Sequence, residues 1–374
     1  MSMNGTRTGK SKVVLLPTHK TLSTHEVVVH QVLAQKLAEL LKAEFVGVYD
    51  RTLHQGAGLY FVPSDTLIDR AALAYPDIRS ADDLFGGVIA EPFMATKALS
   101  HPLPENATFR PSGWSDDFHR QARHAVLAGF SVFDEQDALS VGKRMLASGP
   151  LRVKPVLATA GRGQVVVASE TELSEAIAQQ NLREVKEYGL VLEENLHDVV
   201  TLSVGQVNVA GLTASYYGTQ TLTQDNQRET VYGGSRLHVV RGDYQALLEL
   251  PLDDTVRLAV KQALAYENAA FACFPGFIAS RRNYDIALGT NGQGQRCSGV
   301  LEQSWRIGGA SPAEIEALLR FHDDPDLNRI DASSHEVYGT TTLPPDAQVL
   351  YEGDDSQVGF ITKFIQVEPY ERAQ

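Results

Sequence analysis

A lysine sits inside an otherwise apolar strand candidate, Arg152-Val153-Lys154-Pro155-Val156, and seven residues after it comes Gly161-Arg162-Gly163. An ammonium buried in a strand is costly unless it meets an anion, and glycines let backbone N–H groups approach one closely. Two arrangements satisfy this segment. One is a phosphate-binding hairpin; the other is an edge strand whose lysine reaches solvent beside an ordinary turn.

The pattern around the segment alternates strands and helices. Val13 to Leu16 reads as a buried strand, and Ser23-Thr24-His25-Glu26 opens a helix as a capping box, with Val29, Leu33, Leu37 and Leu40 at helical spacing. Strands are expected at Phe45 to Tyr49, Leu59 to Val62 and Gly87 to Ala90, which makes an N-terminal α/β unit ending at the proline-rich stretch His101 to Pro111. From Ser115 the spacing predicts a helix ending near Gly129, a second helix from Asp134 to Ala147, and two strands, Leu151 to Leu157 and Gln164 to Ala168, joined by the glycine tip. A helix from Glu172 to Gln180 and a strand from Gly189 to Glu194 complete a compact α+β segment.

Beyond it, Val199 to Gln220 reads as strand and Thr255 to Glu267 as helix. Tyr284 to Leu288 and Gly299 to Gln303 flank an Asn291-Gly292 turn, Pro312 to Phe321 is helical, and Gln348 to Tyr351 pairs with Val358 to Val367 as a terminal hairpin. The expected division is 1–112 as an N-terminal α/β domain, 113–198 as a central subdomain carrying the glycine-rich hairpin, and 199–374 as a C-terminal subdomain.

Charge and motif content narrow the function. The 33 Lys and Arg against 46 Asp and Glu give a net charge of −13, which repels nucleic-acid phosphates and anionic lipid heads. Two cysteines, Cys273 and Cys297, are too few for a thiolate metal site and suit a reducing cytoplasm. Neither an apolar export signal nor a stretch of about twenty apolar residues occurs, so the expectation is a cytoplasmic protein without a membrane span. The P-loop, dinucleotide and nucleophile-elbow glycine motifs are absent. His25-Glu26 and His30 have the wrong spacing for a helical zinc site, because residues five apart diverge around the helix.

A second constellation lies far downstream. Asp285 falls on one strand of the expected hairpin and Glu302 on the next, with Ser304 and Arg306 alternating from Glu302 onto the same side. Such a face can hold Mg²⁺ through oxygen atoms while an arginine neutralises a phosphoryl or carboxylate group. The plainer reading is a solvated polar face, which leaves Leu301, Gln303 and Trp305 as the buried side; Gly308-Gly309 permits close backbone approach and favours a site. Between the two constellations, Val191-Leu192-Glu193-Glu194-Asn195-Leu196 is a strand ending in carboxylates, either a purine-edge site or a charged strand exit.

In this order, the pieces resemble the ATP-grasp superfamily, over roughly Ser115 to Ser311, and the preceding α/β unit looks like the Rossmann-like domain that usually comes before it. Within it, the whole chain is similar to a bacterial family of ATP-grasp-like proteins with no assigned substrate. The resemblance implies ATP and Mg²⁺ as cofactors and an activity that joins a small-molecule carboxylate to an amine or another nucleophile through an acyl phosphate. It also admits a degenerate member that binds nucleotide in a regulatory or structural role, and it leaves a homo-oligomer possible. It implies Lys154 on the phosphates, Gly161, Arg162 and Gly163 as the lid, and Glu193, Glu194 and the Leu196 backbone at adenine. It further implies Asp285, Glu302 and Ser304 on magnesium and Arg306 at the reaction centre. The chain departs from the pattern at Ser304, where an amide is usual; at Asp116-Asp117, where an Asp-Lys pair is usual; at Asn283, where a basic residue is common; and at Val200, where a ribose-binding acid is usual and Asp198 is the nearest substitute.

Overall fold

The first apolar run forms strand β1 (Lys12–Leu16) and leads into helix α1 (Thr24–Leu41). A computed structural model of the chain describes residues 9–18, 22–54, 58–68, 78–157 and 163–369. The capping box is present: the Glu26 carboxylate accepts hydrogen bonds from Ser23 N at 2.9 Å and from Ser23 Oγ at 2.8 Å. Strands β2 (Glu44–Val48) and β3 (Leu59–Pro63) flank β1 in parallel, in the order β2-β1-β3, and Leu33 and Leu37 of α1 are buried. After β4 (Leu67–Ile68) and β5 (Gly87–Ile89), the chain forms two short 3₁₀ turns, Pro92–Ala95 and Lys97–Ser100.

Helix α2 (Asp116–Ala122) is shorter than its spacing predicts, and the residues expected to continue it toward Gly129 instead lead into strand β6 (Gly129–Val132). Helix α3 (Glu135–Leu146), β7 (Leu151–Pro155), β8 (Val165–Val167), α4 (Glu170–Ala178), α5 (Leu182–Tyr188) and β9 (Leu190–Glu194) follow. The four strands form an antiparallel sheet in the order β6-β9-β7-β8, with a core that includes Val141, Val153, Leu173, Ile177 and Leu192.

The rest of the chain builds around one antiparallel sheet. Its elements are β10 (Leu196–Val209), β11 (Leu212–Gln224), β12 (Thr230–Arg241), α6 (Tyr244–Leu248), α7 (Asp254–Cys273), β13 (Ile278–Ala279), β14 (Arg281–Asn291), β15 (Arg296–Ser304), α8 (Ser311–Asp323), β16 (Arg329–Tyr338), β17 (Gln348–Asp355) and β18 (Gly359–Pro369). Eight strands pair in the order β15-β14-β10-β11-β12-β16-β18-β17, while β13 joins β5. The β14–β15 connection is longer than an Asn-Gly turn. Asn291 N donates to Gln295 O at 2.9 Å, and it is Gly294 that takes the left-handed conformation, at φ +77°.

The two faces of this sheet are used differently. Leu202, Val204, Tyr284, Ile286 and Val300 share a core with residues of α7 and α2. On the opposite face, Val207, Tyr216, Leu237, Ala332 and Ile365 share a core with α1 and α8. Farther along that same face the floor turns polar. The register places Glu302 opposite Asp285, Asp285 opposite Ser203, Gln220 opposite Ser235, Ser235 opposite Ser334, and Glu336 opposite Lys363. None of the described helices is long and apolar enough to cross a membrane.

Candidate functional site

This polar row floors a cleft of about 860 Å³, walled by the small sheet on one side and roofed in part by the start of α1. Lys154, Glu193 and Glu194 line it from the small sheet, Leu196, Asp285, Glu302 and Ser304 from the large one, and Arg306 from the segment after β15. Gly161 and Arg162 lie outside the described residues. Gly163 is in a left-handed turn before β8 and is not among the lining residues, whereas its neighbour Gln164 is. Asp198 is not in the lining either; it takes φ +51° where the β10–β14 register breaks between His197 and Val200.

Lys154 is not on an edge. Strand β7 lies between β8 and β9, Lys154 is 4% exposed, and its ammonium meets the Glu193 carboxylate in a buried ion pair. The solvent-reaching alternative is therefore excluded. His101 Nε2 lies 2.9 Å from the other Glu193 oxygen. Burial alone would push Glu193 up, but the Lys154 charge and the His101 hydrogen bond overcome it and hold the carboxyl down at about 2. An ammonium carries three donors, of which Glu193 takes one. The Glu193 side chain is thus engaged by a cation and an imidazole. Glu194 Oε1 accepts from Ala128 N at 3.1 Å, and the Leu196 backbone enters β10 opposite Asn291.

On the floor, Asp285 Oδ1 accepts from Ser203 Oγ and Gln220 Nε2, both at 2.8 Å. Burial, and next the Glu302 charge on the paired strand, raise Asp285 to about 6. Two carboxylates held this way form a site that favours a cation. Mg²⁺ is commonly held by one or two carboxylates with water and phosphate oxygens completing its shell, so the donor set fits. Among the described residues no group of three or more His, Cys, Asp and Glu forms a fuller cage. Ser304 departs from the ligand role implied for it. Its Oγ accepts from Arg281 Nη1 at 3.0 Å, and Arg281 is buried and paired with Glu314 at 2.7 Å, so a fixed positive charge stands against that oxygen.

Arg306 follows the end of β15 and lines the cleft, with Nη1 donating to Ile307 O at 2.8 Å and Nε 3.7 Å from Asp65 Oδ1. The close approach anticipated at Gly308-Gly309 is to a tyrosine. A Cβ on Gly309 would lie 2.6 Å from the Tyr232 ring.

Sequence reasoning missed Lys97. It is buried in the second 3₁₀ turn, lines the cleft, and its ammonium lies 3.2 Å from Glu302 Oε2. Gln303, on the other face of β15, donates to Met94 O at 2.7 Å and Thr96 O at 2.9 Å and so fixes the turn that carries it. The available signal was a lysine inside the apolar run Phe93 to Leu99, the same argument that singles out Lys154. Asp116 and Asp117, where the resemblance implies an Asp-Lys pair, open α2 in exposed pairs with Arg110 and Arg120.

The family model described as Protein of unknown function (DUF3182) matches residues 13–365. No curated protein matches the chain in sequence. Among solved structures, phosphoribosylamine–glycine ligase from Thermotoga maritima aligns with a TM-score of 0.51 at 13% identity, covering 96% of this chain and 92% of that one. A biotin carboxylase β-γ-ATP complex from Campylobacter jejuni aligns at 0.49, with 10% identity over 96% and 88% of the two chains. D-alanyl-alanine synthetase A from Vibrio cholerae aligns at 0.47, with 13% identity over 84% and 94%. The fold is the ATP-grasp fold, with a parallel α/β unit ahead of it.

Proposed function

The chain belongs to the DUF3182 family, and we propose that it is an ATP-dependent ligase that activates a small-molecule carboxylate as an acyl phosphate for capture by an amine or another nucleophile. The observation that carries the reading is the meeting of Lys154 and Lys97 with the Asp285–Glu302 pair in one cleft large enough for a nucleotide and a second small molecule. The Thermotoga maritima protein of the same fold is, by its name, a ligase for phosphoribosylamine and glycine, which supports the reading.

In this reading a substrate carboxylate oxygen attacks the γ-phosphorus of ATP. The new O–P bond forms as the bond to the β–γ bridging oxygen breaks, and ADP leaves with the electron pair. The nucleophile then attacks the acyl carbon, the C–O bond to the phosphoryl group breaks, inorganic phosphate departs, and the nucleophile gives up its proton. Lys154, Lys97 and Arg306 neutralise charge on the phosphoryl oxygens, and the β7–β8 hairpin excludes the water that would hydrolyse the intermediate. Magnesium, held by Asp285 and Glu302, would supply further charge neutralisation at those oxygens. No side-chain nucleophile is needed.

A second reading, nucleotide binding without turnover, is favoured by Arg281 on Ser304 and by Lys97 on Glu302, since both set cations where a full metal-ligand set would stand. A screen of small carboxylates paired with amines, read as magnesium-dependent ADP release, separates the two. Turnover in any pair supports the ligase. Protection against heat by ATP with no ADP released across the screen supports the binder.

A further inference from the structure

The cleft continues past Arg306 to an end built from α1 and from strands β16 and β18. There Glu336 and Lys363, directly opposite each other across the two strands, form an ion pair at 2.9 Å, with side chains only 17% and 11% exposed. His25, His30 and Tyr338 line the same end. Both imidazoles are held down at about 4, mainly by burial; Lys363 adds to this at each and Arg306 at His30, while Glu26 opposes it at both and Asp355 at His25. His25 is 7% exposed, yet its Nδ1 has no hydrogen-bond partner. A polar atom that is buried and unpaired is costly, and so is a nearly buried ion pair that a well-packed apolar pair of similar size could replace.

These observations have one common account. A carboxylate placed among Lys363, Arg306 and the two imidazoles would meet two cations and offer an acceptor to the orphaned nitrogen. An ammonium one carbon away would meet Glu336. We propose that this end of the cleft is a subsite for a small zwitterion, a free amino acid or a similar aminocarboxylate, with its carboxylate on Lys363 and Arg306 and its ammonium on Glu336. The inference rests on the ligase reading and specifies the second reactant. Ser235 and Ser334 lie on the floor between Gln220 and Glu336.

The test uses the full chain with Mg²⁺ and a non-hydrolysable ATP analogue, titrated calorimetrically with a panel of free L- and D-amino acids. The same amino acids as N-acetyl derivatives and as amides, together with succinate and glutarate, complete the set. At least one free amino acid is expected to bind while its two blocked forms do not. Glu336→Gln and Lys363→Met should each weaken that binding by about tenfold or more, the loss of one charge-assisted hydrogen bond, while affinity for the analogue stays within about twofold. The double variant Glu336→Lys with Lys363→Glu keeps an ion pair for folding but reverses its direction, and it should lose amino-acid binding as well. The proposal is overturned if the analogue binds and no amino acid does, if a blocked form or a dicarboxylate binds as tightly as the free amino acid, or if the variants bind unchanged. Failure of the analogue itself to bind overturns the ligase reading beneath it.

Discussion

Lys97 Nζ lies 3.2 Å from Glu302 Oε2, joining a turn that precedes the small sheet to the acid pair at the edge of the large one. The two-point bond from Gln303 to Met94 O and Thr96 O stands directly behind that contact. Replacing Lys97 with Met removes a cation from the cleft and leaves the turn anchored. ATP affinity should then drop by about tenfold or more, in line with a charge-assisted contact to phosphate, with little change in melting temperature. Calorimetric titration beside a thermal melt checks both halves.

Lys154 and Glu193 answer to a different energy. Lys154→Ala leaves a carboxylate buried with His101 as its remaining partner, and losing one member of a buried pair costs on the order of 3–5 kcal/mol. Adding Glu193→Gln removes the stranded charge, so the double variant should recover a large share of the stability but none of the nucleotide affinity. Chemical denaturation of both variants decides this; equal stability of single and double variants would mean that the ion pair is not the buried interaction described.

The acid pair predicts a pH dependence of definite sign. Asp285 is raised from about 3.8 to about 6, first by burial and then by Glu302. A raised acid contributes stability that is complete below its unfolded value and is lost as pH rises through its folded value. His25, His30 and His119 are lowered, chiefly by burial, and impose the opposite slope over nearly the same range. The informative quantity is therefore the difference between the wild type and Asp285→Asn. That difference should fall as pH rises from about 4 through about 6, and Mg²⁺ should abolish the fall by favouring the ionised pair. Denaturant midpoints at several pH values, with and without Mg²⁺, measure it.

Gly309 offers a packing test. An alanine methyl would sit 2.6 Å from the Tyr232 ring, whose hydroxyl is 2.6 Å from Ser235 Oγ on the cleft floor. Gly309→Ala should destabilise the protein by about 1–3 kcal/mol as the ring or the loop gives way. A denaturation curve reads the change.

Much of this site could be read from residue order alone because its main chemistry breaks a local rule. Lys154 interrupts an apolar strand, and Asp285 and Glu302 fall on strands joined by a short glycine-bearing loop, so burial and strand alternation bring the acids together without knowledge of the fold. Lys97 breaks the same rule in a turn, where no strand pattern draws attention to it. Strands β12 and β16 were not anticipated: Gly233-Gly234 dilutes the alternation in one, and Ser333-Ser334-His335-Glu336 is polar on both faces in the other. Their register carries Glu336 to Lys363, a long-range pairing invisible in local spacing. The spacing of His25 and His30 does not suit zinc, and spacing along one helix does not specify which residues wall a cleft. The identity of Glu193's partners likewise depends on sheet order, which periodicity does not specify.

The decisive measurement is a crystal structure of the full chain with Mg²⁺ and a non-hydrolysable ATP analogue. The triphosphate should lie between Lys154 and Lys97 on one side and the metal-bearing Asp285 and Glu302 on the other, with adenine beside Leu196. A nucleotide bound elsewhere, or phosphates out of reach of both lysines with the Lys154–Glu193 pair closed over the cleft, would contradict it.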